Sequence, residues 1–360
     1  MSDNILQPYF DLLWDLGSRL FYWTFEAWIK EKIDFEPLWN EIGLYNSIGN
    51  MPLLLKENKT DRTQVYMFSI PVGMSIKDFM QHNMEIAQYL HCDIKNLRIK
   101  LVNNLAAITV YDTTNLSFNY EDYDFKVAKE IKVPIGISLE DFSTVYWNPT
   151  SPNECHLLIG GSTGSGKSVA LNVILKHLCR YENVELYLQD TKVVDLVEYQ
   201  EAPQTKIYNE GTNYAVETLK GLVERMVERY GYLKKYNYKN MEECNRKDKP
   251  PYVFYILEEL ASFNPQDDKE FYKYLSELLA KGRAAGIFVI ITTQAPYSAI
   301  LPGVLKNNIN TILGLKTRTG EASKVISGNY DLLTQCRGKG HGYLINANGE
   351  HEVQVFNINT

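Results

Sequence analysis

"HLLIGGSTGSGKSVAL", residues 156–171, is the stretch that decides the fold. An apolar run ending at Gly160 reads as a strand, a loop of small residues follows, and the chain then continues as a helix with Leu171, Ile174, Leu175 and Leu178 on one face. The loop satisfies G-x-x-x-x-G-K-[ST], with a strand before it and a helix after it. Glycines let the main chain curl until successive N–H groups converge on phosphate oxygens, and the helix start adds the positive end of its dipole. On this reading Gly161, Ser162, Thr163, Gly164, Ser165, Gly166, Lys167, Ser168 and Val169 cradle a nucleoside triphosphate. Lys167 neutralises the β- and γ-phosphates, and the Ser168 hydroxyl binds Mg²⁺. The competing reading, small residues with a chance Lys-Ser, leaves the flanking strand and helix unexplained.

Outward from the loop, apolar runs alternate with helical patterns. Candidate strands fall at 156–160, 184–189 ("VELYLQ"), 252–257 ("YVFYIL"), 287–293 ("IFVIITT") and 311–315 ("TILGL"). They are continuous rather than alternating, as parallel strands covered on both faces require. Helices are expected over 167–180, 212–236 and 268–284; in the last, Phe271, Leu275, Leu278 and Leu279 share a stripe and Gly286 is a stop signal. The ending "GYLINANGEHEVQVF" reads as a hairpin turning at Asn348-Gly349. The fold class is α/β: a P-loop domain with a mostly parallel sheet.

A site that cleaves its nucleotide needs a further metal-side group and something to polarise water. "YVFYILEEL" ends an apolar strand in Glu258 and Glu259. In P-loop ATPases the first acid of such a pair faces Mg²⁺ and the second orients the attacking water. Here the first is Glu where Asp is usual, and Mg²⁺ tolerates little change in reach. Two exposed acids at a helix start are the plainer alternative. Thr292-Thr293-Gln294 ends the 287–293 run beside the loop, where Gln294 would sense the γ-phosphate; strand ends also carry such residues simply as caps.

Upstream, "ENKTDRT" (57–63) looks like a turn or linker, "QVYMFSIPVGM" like a strand, and "SIKDFMQHNMEIAQYLHC" like a helix capped by Ser75, with Phe79, Met84, Ile86 and Leu90 as apolar contacts. "LRIKLVNNLAAITVYD" alternates around Asn-Asn as a hairpin. The expected organisation is an aromatic amphipathic helical segment over 1–56, a small α+β domain over 57–130, and the ATPase domain over 131–360, whose approach (115–150) is rich in acids and aromatics. Within the first segment, Trp14, Phe21, Trp23, Phe25 and Trp28 form a broad face that either packs on the body of the chain or docks on a partner or a membrane surface. Charged residues interrupt it too often for a span.

These motifs together resemble the FtsK/SpoIIIE branch of the FtsK–HerA DNA-pumping ATPases. The segments that carry the resemblance are the P-loop stretch, "LQDTKVVDLVEY" with Asp190 and Lys192, "LVERMVERYGYLKKYNYKNMEECNR" with Glu224, Met226, Glu228, Arg229 and Tyr230, "ILEELASF", "KGRAAGIFVIITTQAP" and "LPGVLKNNINT". They occur in order over about residues 130–350. The small unit at 65–111 is similar, more weakly, to the domain that precedes the motor in that family. The resemblance implies a RecA-like motor acting as a homo-oligomeric ring, a hexamer, with ATP and Mg²⁺ between neighbours and DNA through the centre. It carries Lys167 and Ser168 over as phosphate and Mg²⁺ ligands, Glu258 as the metal-side acid, Glu259 as the catalytic base, and Gln294 as the γ-phosphate sensor. Ile312 stands where the family has Arg, leaving Arg318 or Lys324 to reach a neighbour's site. The 360 residues include neither a multi-span anchor nor a C-terminal winged helix, which points to the short motors of Gram-positive conjugative elements, with relaxase or secretion-channel partners. Segregation and phage-type packaging motors stay open as alternatives.

The totals set limits. A net charge of −7 disfavours a protein coated with nucleic acid on its outer surface but permits a channel with a few cations, for which Arg283, Lys306 and the cluster Lys234, Lys235 and Lys239 are candidates. The five Cys are scattered, without a CxxC pair, as in a reducing cytosol. The location expected is cytoplasmic, at the membrane only through partners. Asn58-Lys59-Thr60-Asp61 matches the guanine-reading N-K-x-D pattern, but upstream of the P-loop it would serve only a permuted GTPase. An ATP-binding adaptor with weak hydrolysis is the remaining alternative, and Glu258 is its support.

Overall fold

The computed structural model describes residues 33–60, 63–112, 116–140, 142–294 and 299–358. The chain divides into two compact units between Thr114 and Asn115. The aromatic segment read as an amphipathic helix lies, but for its last residues, outside the described residues.

The first described element of the first unit is α1 (Glu36–Ile42), whose Leu38 and Trp39 point inward. Strands β1 (Leu54–Lys59) and β2 (Thr63–Phe68), helices α2 (Ile76–Gln81) and α3 (Asn83–Tyr89), and strands β3 (Leu97–Val102) and β4 (Leu105–Tyr111) follow. The four strands form an antiparallel sheet in the order β1-β2-β4-β3. Residues 57–59, expected as turn, are the second half of β1: Asn58 pairs with Val65 and Lys59 with Gln64. That strand is nearly all exposed, so its polar composition reports its place at the sheet edge rather than a break in the sheet. Asn103 and Asn104 turn the β3–β4 hairpin at φ 49° and 64°, the left-handed geometry a two-residue turn demands. At the start of α2 the Asp78 carboxylate accepts from the Ser75 main-chain N–H at 2.6 Å. The helix expected to run on from Ser75 is broken at His82, and Met84 consequently turns outward, 70 % exposed, while Phe79 and Ile86 are buried. They join Phe35, Trp39 and Phe68 in an aromatic core in which the Phe35 and Phe68 rings meet edge to face at 4.8 Å.

The second unit is built on a ten-stranded sheet. Its elements are β5 (Val133–Ser138), β6 (Thr144–Trp147), β7 (Leu157–Gly160), α4 (Lys167–Leu178), β8 (Val184–Asp190), β9 (Thr205–Glu210), α5 (Ala215–Lys235), β10 (Tyr252–Leu257), α6 (Lys269–Lys281), β11 (Ile287–Thr293), α7 (Gly303–Lys306), β12 (Thr311–Leu315), α8 (Gly320–Ser327), β13 (His341–Asn346) and β14 (Gly349–Val355). The spatial order is β6-β5-β14-β13-β12-β7-β11-β10-β8-β9. The strands from β12 to β9 are parallel, and the other four continue the sheet antiparallel. The stretch 115–150, read as a connection, therefore contributes two strands. The final hairpin turns at Ala347-Asn348, one residue earlier than expected, with Asn346 opposite Gly349.

Continuous apolar strands feed two cores. From β10, Phe254 and Ile256 enter one, with Leu171, Ile174 and Leu175 of α4. Val253, Tyr255 and Leu257 enter the other, with Leu219, Leu222 and Met226 of α5 and Phe271, Leu275 and Leu278 of α6. Burial on both faces is why these strands show no polar alternation. Gly286, at φ 67°, reverses the chain between α6 and β11 as its sequence position suggests. Arg229, buried in α5, donates to the carbonyls of Pro251 (2.6 Å) and Ala285 (2.8 Å), tying that helix to the entries of β10 and β11. All five cysteines are free thiols. Among the described residues no helix is long and apolar enough to cross a membrane.

Candidate nucleotide site

Three neighbouring parallel strands end side by side. Gly160 of β7 is in register with Thr293 of β11, and Leu257 of β10 with Ile291. The residues that follow, Gly161, Gln294, Glu258 and Glu259, emerge at one edge of the sheet. Phosphate sites form at such carboxyl ends, because the loops leaving them diverge to open a crevice.

The glycine loop crosses this edge into α4. Ser162 N–H donates to the Lys316 carbonyl at 2.8 Å and Ser165 N–H to the Ser162 carbonyl at 3.1 Å. Gly166 sits at φ 108°, and a Cβ there would lie 2.6 Å from the Gly340 nitrogen, so only glycine fits. The loop leaves a crevice of about 460 Å³ lined by Thr163, Gly164, Gly166, Lys167, Ser168, Val169 and Gln294, with Lys339, Gly340 and Asn357 across from them. The Lys167 ammonium folds back onto its own loop, donating to the carbonyls of Gly161 (2.6 Å) and Ser162 (3.0 Å). Burial lowers its pKa to about 8, against the pull of Glu259. A buried cation resting on carbonyls it can exchange for better acceptors, in a cradle with room for no side chain at Gly166, fits a polyphosphate. Ser168 is exposed at the same mouth.

Glu259 and Gln294 are joined to the loop. The Glu259 carboxylate accepts from Gln294 N–H at 2.9 and 3.2 Å and from Ala261 N–H at 3.1 Å. The Gln294 side chain in turn accepts from the Thr163 hydroxyl at 3.0 Å. Thr163, Gln294 and Glu259 thus form one connected run from the phosphate loop to the end of β10. Glu259 is buried and caps the turn after β10, so the capping and site readings describe one residue in one place.

Glu258 is only 3 % exposed, and both its carboxylate oxygens are engaged. The Thr191 hydroxyl donates to one at 2.5 Å and the Lys192 ammonium to the other. The Thr292 hydroxyl donates to its carbonyl. Burial pushes the Glu258 carboxyl up against the pull of Lys192 and Thr191. Burial pulls Lys192 down, but Glu258 outweighs it and lifts the ammonium above its ordinary range. Lys192 is placed by Asp190, whose buried carboxylate accepts from Val193 and Leu196 N–H (2.9 and 3.0 Å) and from the Tyr208 hydroxyl (3.0 Å). The Thr191 and Lys192 contacts were not foreseen from sequence; the Asp-Thr-Lys run was the signal, but that it meets Glu258 depends on β8 lying beside β10. Lys339, Gly340 and Asn357 also went unread, although Gly338-Lys339-Gly340-His341-Gly342 is conspicuous.

The other candidates are dispersed. Arg318 and Lys324 are exposed around the start of α8, and Ile312 is buried in β12. Arg283 donates to the Pro152 carbonyl at 3.1 Å. Lys234, Lys235 and Lys239 are exposed near the end of α5, and Lys306 is half-buried.

A glycine loop between a central strand and a helix, with a Lys in the cradle and carboxylates from a second strand, defines a P-loop nucleotide-binding protein of mixed α/β fold with a large, mostly parallel sheet. Comparison with known proteins narrows this: residues 128–249 match the model of the FtsK/SpoIIIE family, within the stretch whose motifs resemble it. It is 33 % identical over 192 residues to the DNA translocase FtsK of Corynebacterium glutamicum, covering 48 % of this chain and 21 % of that one. With the DNA translocase FtsK of Lactococcus lactis subsp. cremoris it shares 30 % identity over 215 residues, covering 55 % and 28 %. The chain thus spans well under a third of the length of these relatives. Among solved structures, the pCW3 conjugation coupling protein TcpA with ATPγS aligns over 90 % of this chain and 94 % of that one, at a TM-score of 0.63 and 20 % identity. EssC (ATPases 2 and 3) from Geobacillus thermodenitrificans aligns over 68 % of this chain and 47 % of that one, at 0.57 and 19 %. These likenesses are of fold.

Proposed function

We propose that the chain is an ATP-driven DNA translocase, a P-loop ATPase whose hydrolysis is stimulated by DNA. The observation that carries this reading is the connected run Thr163–Gln294–Glu259 beside Lys167, within a chain whose 128–249 segment matches the FtsK/SpoIIIE model. Lys167 leaves its two loop carbonyls for the β- and γ-phosphates, and main-chain N–H groups of the loop donate to the remaining oxygens. Glu259, fixed by the main chain of Gln294, accepts the proton of the attacking water as its oxygen bonds to the γ-phosphorus and the bond to the β–γ bridging oxygen breaks, releasing ADP and phosphate. The Gln294 side chain, tethered to Thr163, feels whether the γ-phosphate is in place. Ser168, exposed at the mouth, would hold Mg²⁺, which when bound supplies charge neutralisation to the phosphates; Glu258, both of whose carboxylate oxygens are engaged by Thr191 and Lys192, would join it only by releasing one of them.

At the finer level we place the chain among motors that move DNA through a homo-hexameric ring, serving as a coupling protein for conjugative transfer with a relaxase or channel as partner. The fold likeness to the pCW3 coupling protein over nearly all of both chains supports this over segregation or packaging. The test is ATP turnover by the purified chain with duplex and with single-stranded DNA across a salt series. Turnover should rise with one of them and the rise should fade with salt, as phosphate contacts release counterions. ATPase activity indifferent to both would leave a P-loop ATPase that is not a DNA motor. The adaptor reading rests on Glu258 being held by Lys192 and Thr191; equal, negligible turnover by the wild type and Glu259→Gln, with ATP still bound, would favour it.

A further inference from the structure

Opposite the glycine loop lies a second, shorter loop, Arg337-Gly338-Lys339-Gly340, that the nucleotide chemistry above does not use. Its three residues from Gly338 to Gly340 are all left-handed, at φ 91°, 51° and 84°. Two are glycines, for which this is ordinary; Lys339 is not, and a side chain held in that region marks a backbone fixed by its surroundings. The surroundings are explicit. Gly340 N–H donates to the Ser165 carbonyl at 2.7 Å, and Val355 N–H to the Gly340 carbonyl at 2.9 Å. The Gln354 amide donates to the Lys339 carbonyl at 2.7 Å. His341 Nδ1 accepts from Arg337 N–H at 2.9 Å, while its Nε2 meets the Glu352 carboxylate at 2.8 Å, both side chains being fully buried. With Nδ1 accepting, Nε2 carries the hydrogen and donates to Glu352. A buried imidazole–carboxylate pair and the Gln354 side-chain amide thus press this loop onto the phosphate loop, and Gly166 lacks a Cβ because Gly340 occupies its place.

What the clamp presents is Lys339. It lines the crevice with Ser168, Val169 and Asn357, and is exposed, and among the described residues its ammonium has no ion-pair or hydrogen-bond partner. Thr163 and Gln294, joined to Glu259, mark the γ-phosphate end, whereas Lys339 is anchored through Gly340 to Ser165 and Gly166, where the phosphate loop enters α4.

We propose that Lys339 is a second nucleotide-binding cation of the same subunit, reading the α- and β-phosphates from the helix side, with His341, Glu352 and Gln354 as positioning residues. This rests on the nucleotide-site reading and deepens it. A cation on those phosphates binds the diphosphate and triphosphate alike, whereas one at the γ end favours ATP. The test is titration of the full chain with ATP and with ADP by isothermal calorimetry, comparing wild type, Lys339→Ala, Lys339→Arg and Lys167→Ala. Lys339→Ala should weaken ATP and ADP by the same factor, about tenfold for a lost charge-assisted contact, with an unchanged melting temperature. Lys339→Arg should recover most of the loss. Loss for ATP alone would move the cation to the γ end and overturn the proposal, as would unchanged affinity for both while Lys167→Ala binds weakly. Wild-type protein that takes up neither nucleotide would instead overturn the nucleotide site itself, and this proposal with it.

Discussion

Lys167 is charged in a place that penalises charge, and its pH behaviour follows. Burial brings its pKa down to about 8, so the free protein begins to lose this proton just above neutrality. A bound polyphosphate favours the charged form and lifts the pKa again, so binding takes up a proton whenever the pH exceeds about 8. By linkage, nucleotide affinity should hold steady below that pH and fall above it, by up to about tenfold per pH unit, until the ordinary lysine range is reached. Affinity measured from pH 7 to 10 checks this, and a flat profile through pH 9 would show the ammonium is not the group that meets the phosphates. Glu259 gives a different signature. Glu259→Gln keeps the acceptor for Gln294 and Ala261 N–H but loses basicity, so ATP binding should be retained while turnover falls by about 10²–10⁴-fold. Single-turnover assays separate the two effects. Lys192→Met should act through Glu258: the buried carboxyl loses the ammonium that stabilises its charge, lowering stability by roughly 1–2 kcal/mol at neutral pH. A denaturant midpoint unchanged at pH 7 would mean the pair contributes nothing net.

At the scale of elements, what could be read in the sequence is what local chemistry alone determines. The β7–loop–α4 unit was legible because its glycine spacing, lysine and flanking periodicities all describe one backbone path. The β10 and β11 strands were legible because burial on both faces removes every charged residue from them. Strands β6 and β9 were not, since each is an edge strand and mixes polar with apolar residues as loops do, and β5, though buried throughout, carries Pro134 and Gly136, which read as turn residues. The contacts of Glu258 were hidden for another reason: they join β8 to β10, and strand order is set by packing rather than by either strand's own residues. The same reasoning makes Arg229 informative. Its guanidinium bridges carbonyls at the entries of two strands from within α5, so Arg229→Met leaves buried carbonyls without a donor. It should cost about 2–4 kcal/mol in chemical denaturation, whereas exposed Lys234→Met on the same helix should change little.

For the whole molecule, two units with separate cores respond differently to acid. The second unit buries His156, whose Nδ1 accepts from Val289 N–H at 3.0 Å, and His177, whose Nδ1 meets the Tyr120 hydroxyl at 2.7 Å. Burial lowers both imidazoles to about 4. Each stays neutral in the folded chain while the unfolded chain takes up a proton below about pH 6.5, so the unfolded state binds more protons between those values. Stability must therefore drop as pH falls through that window, by roughly 2–3 kcal/mol per imidazole at most. In the first unit the described histidines, His82 and His91, are not buried, and its core is aromatic and aliphatic throughout. Among the described residues each unit holds one buried indole, Trp39 in the first and Trp147 in the second, so variants retaining only one of the chain's five tryptophans report the units separately. Between pH 6.5 and 4 the urea midpoint followed at Trp147 should fall well before that followed at Trp39, and His177→Gln should remove part of the slope. Midpoints falling together would mean that the two units unfold as one, and that carboxylates common to both, rather than buried imidazoles, govern the acid response.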